Sequence, residues 1–326
     1  MSLNNPFKDQ LSLPVIAAPM FLISGTQLVT VCCKNGIIGT FPALNQHSTE
    51  GFDQWLTEIE NELEQAKQGG QPVAPYGVNL IVHHTNPRLK ADLEVCVKHK
   101  VPIIITSLGA VAEVVEAVHS YGGLVFHDIT NRRHAEKAIE AGVDGLILVS
   151  AGAGGHAGTV NPMALVAEIK SFFDKTIILS GCISNGRDIA TALQMGADFA
   201  YMGTRFINVS ESKADRAYQE MIIQSNTADI VYTAAISGVP ANFLRMSLEA
   251  MGITKDMWHH QKKINFGEEL DAAQAEAKAW KTIWSAGHGV ASVQDVVPVQ
   301  TLVQRLKKEM REAIEEQQQL LYNLSL

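Results

Sequence analysis

The sequence is poor in the features that mark several large classes of protein. It has four cysteines in 326 residues, with no Cys-x-x-Cys spacing, so a disulfide-stapled scaffold is not expected. The net charge is −8, and this lack of basic excess argues against binding to nucleic-acid phosphates. No apolar run is long enough to span a bilayer, and the first residues do not resemble a secretory leader. These absences predict a cytoplasmic protein whose partners are small molecules, not nucleic acids or membranes.

Several familiar catalytic motifs are also missing. The chain has no G-x-S-x-G elbow, no Walker A sequence and no His-Glu-x-x-His. The motifs that usually identify serine hydrolases, P-loop NTPases and zincins are therefore missing. The pairs His83-His84 and His259-His260 lack metal-ligand spacing, and no metal is predicted. We therefore expect a bound organic cofactor to supply the reactivity.

The pattern that is present is an alternation of short β-branched runs with helical segments, typical of repeated βα units joined by right-handed crossovers. Eight such units favour a (β/α)8 TIM barrel over an open sheet. The predicted strands are Val15–Met20, Ile37–Phe41, Tyr76–Val82, Ile103–Ser107, Leu124–Ile129, Gly145–Ala151, Thr176–Gly181 and Phe199–Phe206.

Local signals within the helical segments add detail. Gly122, Gly142 and Gly196 each follow a periodic apolar segment, where glycine takes the left-handed conformation that ends a helix. Cys32 and Cys33 fall in an apolar helical stretch and are expected to be buried there as reduced thiols.

The pattern changes after the eighth strand. The stretch from Glu211 to about Trp280 is predicted to be helical, with no further strand, and to form an inserted lid. Pro298–Leu321 is predicted to be the last helix of the barrel, packing its apolar face on the sheet. The predicted division is therefore a barrel made of residues 1–210 and 281–326, with a helical lid at 211–280.

Small residues follow the seventh and eighth predicted strands, at the positions where barrel enzymes bind phosphate. They let backbone N–H groups approach a phosphate closely, and the helix that follows adds its positive dipole. Tight turns alone would also explain a single glycine of this kind. Because both strands end in this way, we predict a phosphate site with Gly181, Cys182, Gly203 and Thr204 as its walls.

The sixth strand leads into a glycine-rich loop, residues 150–158, that carries His156. A histidine among glycines at a barrel mouth has little packing to do, and its near-neutral pKa suits proton abstraction or binding of an anionic substrate. Gly152, Gly154 and Ala157 also fit the dinucleotide pattern G-x-G-x-x-A, but the helix is delayed and no acidic residue ends the next strand. His127 and Asp128 end the fifth strand, and the sequence leaves open whether they line the pocket.

Taken together, these motifs resemble the nitronate monooxygenase family, formerly called 2-nitropropane dioxygenases, over nearly the whole chain. The resemblance rests on residues 18–20, Gly77 with Asn79, residues 154–158, Ser180 with Gly181, residues 185–187, 202–206, 237–241 and 286–289. It implies FMN as cofactor, no nicotinamide requirement, and oxidation of alkyl nitronates or related carbanions by O₂ to carbonyl compounds and nitrite. A homodimer is left open.

The resemblance also implies roles for individual residues. His156 matches the active-site histidine and is the predicted catalytic residue. The predicted cofactor-binding residues are Ala18, Pro19, Met20, Asn79, Asp128, Ser150, Gly154, Gly155, Gly181, Cys182, Tyr201, Met202, Gly203 and Thr204. Cys182 stands where the family often has glycine, and a backbone N–H contact survives that change.

Two other functions remain open from the sequence. FMN-dependent enoyl-ACP reductases share the Gly-Gly-His loop and the phosphate motifs, and they require NAD(P)H as hydride donor. A non-catalytic FMN-binding barrel is the second alternative, and the presence of His156 argues against it.

Overall fold

The computed structural model describes residues 6–7, 9–83, 85–109, 112–236, 238–258 and 283–324. Some residues used in the sequence analysis lie outside these ranges. They are His84, Ser237, and residues 259–280 of the predicted lid, which include His259 and His260.

Eight parallel strands close into a barrel, which confirms the predicted (β/α)8 fold. The barrel closes where Val15 of the first strand pairs with Ala200 of the last. The barrel strands are β1 (Val15–Ala17), β2 (Ile38–Pro42), β3 (Tyr76–Ile81), β4 (Ile103–Ser107), β5 (Leu124–Ile129), β6 (Gly145–Val149), β8 (Thr176–Ser180) and β9 (Phe199–Met202). A two-residue strand, β7 (Gly155–His156), lies outside the barrel.

Helices alternate with these strands. They are α1 (Thr26–Lys34), α2 (Thr49–Gln68), α3 (Leu89–Lys98), α4 (Ala112–His119), α5 (Arg132–Glu140), α6 (Pro162–Lys170), α7 (Gly186–Met195), α8 (Thr204–Ile207), α9 (Arg216–Gln224), α10 (Arg245–Ala250) and α11 (Val299–Asn323). Several begin at a residue whose side chain accepts a backbone N–H of the first turn, as Ser48 does for α2 and Asn131 for α5.

Side chains alternate between the two faces of each barrel strand, and this alternation divides the core of the barrel into two clusters. Ile147 of β6 belongs to a cluster formed by the side chains of the barrel strands, whereas its neighbours Leu146 and Leu148 pack with the helices. This is the two-residue period of a strand buried on both faces. Because the eight barrel strands are parallel, their C-terminal ends lie together at one end of the barrel.

Several local predictions are confirmed. Gly122, Gly142 and Gly196 have φ angles of 85°, 89° and 105°, in the left-handed region. Cys32 and Cys33 are buried and unpaired, and burial raises the pKa of both thiols.

None of the helices in the described ranges has the length and apolar character that crossing a lipid bilayer requires.

Two predictions about the last part of the chain are wrong. The predicted eighth strand runs too far, because β9 ends at Met202 and Thr204–Ile207 is a helical turn. The stretch after Glu211 was expected to lack strands, but it contains β10 (Ile230–Thr233) and β11 (Ala241–Leu244). These two strands form an antiparallel sheet with β7, in the order β10-β11-β7.

The C-terminal helix packs as predicted. Leu302, Val303 and Leu306 of α11 are buried in the cluster shared by strands and helices. The segment that precedes it lies elsewhere, because Ala286, Val290 and Val293 pack in a separate cluster that includes Tyr218 of α9.

Candidate functional site

A cavity of about 1380 Å³ opens among the C-terminal ends of the barrel strands. This is where barrel enzymes place their working residues. Of the fifteen residues predicted for the site, thirteen line this cavity: Ala18, Pro19, Met20, Asn79, Asp128, Gly154, Gly155, His156, Gly181, Cys182, Tyr201, Gly203 and Thr204. The tertiary fold therefore brings together residues that the sequence places up to 186 positions apart, from Ala18 to Thr204.

The two other predicted residues, Ser150 and Met202, lie outside the cavity lining. The Ser150 hydroxyl is buried and donates a hydrogen bond to the Ser180 carbonyl at 2.7 Å. The Met202 side chain is buried in the helix-facing cluster, and its carbonyl accepts the Ala18 N–H at 3.0 Å. Both residues tie neighbouring strand ends together.

The glycine loop after β6 packs tightly against the segment that precedes α11. A Cβ atom on Gly154 would lie 2.9 Å from the backbone nitrogen of Gly287, closer than real Cβ contacts. The Gly287 N–H donates to Thr204 Oγ1 at 2.9 Å, and the His288 N–H donates to the Gly152 carbonyl at 2.9 Å. Gly154 is therefore required by close backbone packing.

Gly203 presents the opposite situation. Its φ of −100° is open to any residue, and a Cβ atom there would meet only the Ala18 Cβ, at 3.7 Å. Nothing in the protein's own packing requires a glycine at this position. The room beside Gly203 belongs to the cavity, which is the arrangement expected where a ligand approaches the backbone.

The N-terminus of α7 differs from what the phosphate prediction assumed. Asp188 Oδ2 accepts the backbone N–H groups of Ser184 and Asn185, and the Asn185 side chain accepts that of Asp188. The N–H of Gly186 donates to Glu309 Oε2 at 2.8 Å. The backbone N–H groups at the start of α7 are therefore already hydrogen-bonded to carboxylates and an amide of the protein. The prediction that the dipole of this helix stabilises a phosphate is not supported.

His156 lies in β7, where it pairs with Ala241 of β11. This pairing gives the glycine-rich loop a defined backbone. Burial lowers the pKa of His156 from 6.5 to about 4. The imidazole is therefore uncharged at neutral pH, but the same burial makes it a weaker base than the near-neutral histidine expected from the sequence.

A chain of hydrogen bonds ends at Asp128. Asn79 Nδ2 donates to Ser107 Oγ at 2.7 Å, and Ser107 Oγ donates to Asp128 Oδ2 at 2.5 Å. The other carboxyl oxygen, Oδ1, is buried and has no hydrogen-bond partner among the described residues. Burial raises the pKa of Asp128 to about 6, although the Ser107 bond opposes that rise.

His127, which precedes Asp128, also lines the cavity. Its Nδ1 lies 2.7 Å from Thr106 Oγ1, and burial, with a smaller contribution from the charge of His134, lowers its pKa to about 4. The question that the sequence left open for the pair is thereby answered, since both residues line the cavity. Ser107, which links Asn79 to Asp128, was missed because a single serine at a strand end carries no signal of its own.

The dinucleotide interpretation of the glycine loop finds no support. Helix α6 begins at Pro162, six residues beyond His156, and β7 intervenes between the barrel strand β6 and that helix. A dinucleotide fingerprint requires the glycines to open the helix directly after the strand.

A closed (β/α)8 barrel with small residues and an uncharged histidine around a strand-end cavity defines a class of small-molecule enzyme. Within that class, a family model described as nitronate monooxygenase matches residues 5–309. The chain belongs to the nitronate monooxygenase family, which confirms the resemblance read from its motifs. It is an oxidoreductase of this type, and the family is flavin-dependent.

A curated relative agrees with this family assignment, and two solved structures share the fold. The chain is 25% identical to a nitronate monooxygenase of Paraburkholderia phytofirmans, over 94% of each chain. Its fold is similar to that of FabK from Thermotoga maritima, with a TM-score of 0.79 and 23% identity over 96% of this chain and 98% of the other. It is also similar to a nitroalkane oxidase of Streptomyces ansochromogenes, with a TM-score of 0.77 and 24% identity over 96% and 99%. At these identities the structural matches establish the fold.

Proposed function

We propose that this protein binds FMN and oxidises alkyl nitronates with O₂ to carbonyl compounds and nitrite. The observation that carries the proposal is the position of an uncharged His156 on the wall of a cavity that also contains the glycine positions predicted for phosphate. Membership in the nitronate monooxygenase family supports the same reaction.

The residues present fit a flavin mononucleotide. The open side of Gly203 leaves room for a phosphate, and Gly181, Cys182 and Thr204 line the same cavity. Ala18, Pro19 and Met20 would lie against the ring system, and Asn79 and Asp128 offer polar atoms to it. When bound, the flavin would accept electrons from the substrate carbanion.

In this proposal His156 acts on the substrate carbon. A neutral nitroalkane must lose a proton from the carbon next to the nitro group before it can be oxidised, and an uncharged imidazole can take that proton. A nitronate arrives already deprotonated and needs only to be bound and oriented. His156 would then be the catalytic base for neutral nitroalkanes.

The test is anaerobic reduction of the purified flavoprotein, first with a preformed nitronate and separately with NADH. We expect the nitronate to bleach the flavin absorbance and NADH to leave it unchanged, and denaturation to release FMN. Reduction by NADH alone would instead assign the chain to the enoyl-ACP reductase type. A protein that takes up no flavin would overturn the proposal.

A further inference from the structure

The segment that holds His156 is too short to be rigid by itself. Strand β7 has two residues, one of which is Gly155, and glycines at 152, 154 and 158 flank it. A two-residue strand contributes few ladder bonds, and glycine loses more conformational freedom on ordering than other residues. Contacts from outside the loop therefore help to fix the position of the imidazole.

The 286–289 segment supplies some of those contacts, and strands β10 and β11 supply others. Strand β11 pairs with β10 over four residue pairs, and Phe243 and Ala241 of β11 are fully buried. The opposite edge of β11 pairs with β7, in the register Ala241 to His156 and Asn242 to Gly155. The Ala157 N–H extends this contact by donating to the Pro240 carbonyl at 3.3 Å. The sheet formed by β10 and β11 thus holds the backbone of the loop beside the histidine.

Two side chains of this sheet reach the carbonyl groups on either side of His156. Asn242 Nδ2 donates to the Ala153 carbonyl at 2.7 Å, and the Tyr232 hydroxyl donates to the Ala157 carbonyl at 3.0 Å. Tyr232 and Asn242 are directly paired across β10 and β11, so their side chains lie on the same face. The backbone is held three residues before the histidine and one residue after it.

We propose that Asn242 and Tyr232 are positioning residues, which hold the Ala153 and Ala157 carbonyls so that the His156 imidazole keeps a single place in the cavity. The part of the chain that contains β10 and β11 then contributes a strand that orients the base. This inference rests on the proposed function for its kinetic consequence, but the position of His156 can be tested without substrate.

The first measurement is the pKa of His156 by NMR titration of its Cε1–H signal, assigned by comparison with His156→Asn. Tyr232→Phe removes only one hydroxyl from a side chain that is 43% exposed, so folding should be retained. We expect the pKa of His156 to rise from about 4 toward 6.5 as the loop loosens and water reaches the ring. Asn242→Leu should have the larger effect, because Asn242 is buried.

The matched control is Tyr121→Phe. The Tyr121 hydroxyl also donates to a backbone carbonyl at 3.0 Å, that of Val101, and neither residue lines the cavity. This variant should leave the pKa of His156 unchanged. An unchanged pKa in Tyr232→Phe and a folded Asn242→Leu, or an equal rise in Tyr121→Phe, would overturn the proposal.

The second measurement compares kcat for a neutral nitroalkane with kcat for its preformed nitronate. Displacement of a base should slow proton removal by roughly tenfold in Tyr232→Phe, while turnover of the nitronate changes little. A general loss of structure would lower both rates together. If the wild-type protein oxidises no nitronate, the proposed function fails, whereas the NMR titration still decides whether these residues position His156.

Discussion

Ser107 donates a hydrogen bond of 2.5 Å to one carboxyl oxygen of Asp128, while the other oxygen of that carboxyl is buried without a partner among the described residues. The ionised carboxylate is thus stabilised on one side only. Burial outweighs this single bond, and the pKa of Asp128 rises to about 6. The charge of this cavity wall should therefore change between pH 5 and pH 7.

This pKa predicts a pH-dependent stability difference between wild type and Asp128→Asn. A carboxyl whose folded pKa lies above its unfolded value stabilises the fold at low pH, and that stability is lost as the pH rises from about 4 through about 6. Relative to the variant, the wild-type apoprotein should therefore lose at most about 3 kcal/mol over this range. Urea unfolding of both proteins at pH 4 and pH 7.5 measures the difference.

Other groups that titrate in the same pH range, such as His127, are present in both proteins. Their contributions to the pH dependence of stability therefore cancel in the comparison. Ser107→Ala provides a second check, since loss of its donor should raise the pKa of Asp128 further. Parallel pH dependences for wild type and Asp128→Asn would mean that the carboxyl is solvated in the folded protein.

Gly203→Val should weaken flavin binding with little effect on the apoprotein. The backbone at Gly203 suits any residue and its Cβ position is open, so the valine would project into space that the proposed phosphate needs. We expect flavin occupancy to fall after purification while the apoprotein Tm stays near the wild-type value. Full FMN retention in this variant would place the phosphate elsewhere in the cavity.

Gly154→Ala should show the reverse pattern of effects. Its Cβ would meet the backbone of Gly287 and Ala286 at 2.9 and 3.1 Å, and neither backbone can move aside like a flexible side chain. Overpacking of this kind typically costs about 1–3 kcal/mol. We expect a lower Tm even without flavin, measured beside Gly203→Val as the matched glycine variant. An unchanged apoprotein Tm would show that the 286–289 segment is not packed against the loop as described.

His156→Asn should retain the fold and the flavin but lose most activity on neutral nitroalkanes. Asparagine can hydrogen-bond but cannot accept a proton near neutral pH, and loss of a general base typically costs about 10²–10⁴-fold. Activity on a preformed nitronate should fall less, because that substrate needs no deprotonation. Steady-state O₂ uptake with each substrate provides the measurement. Equal slowing of both substrates would make His156 a binding residue instead of a base.

Much of the barrel could be predicted from local sequence. Strands Ile103–Ser107 and Leu124–Ile129 were predicted with the observed bounds, and the others within a few residues of their ends. Strands β10 and β11 were missed, although Ile230–Thr233 carries a β-branched and aromatic run that could have indicated one. Their short length and the surrounding helical pattern concealed that signal.

The sequence by itself determined the alternation of strands and helices, the glycines that end helices, and the small residues at the strand ends, because each depends on neighbours a few positions away. Only the tertiary structure decided that His156 pairs with Ala241 and that Gly154 touches Gly287, since those contacts join residues 85 and 133 positions apart. The lowered pKa of His156 and the raised pKa of Asp128 belong to the same category. Both follow from burial, and burial exists only after the chain has folded around these side chains.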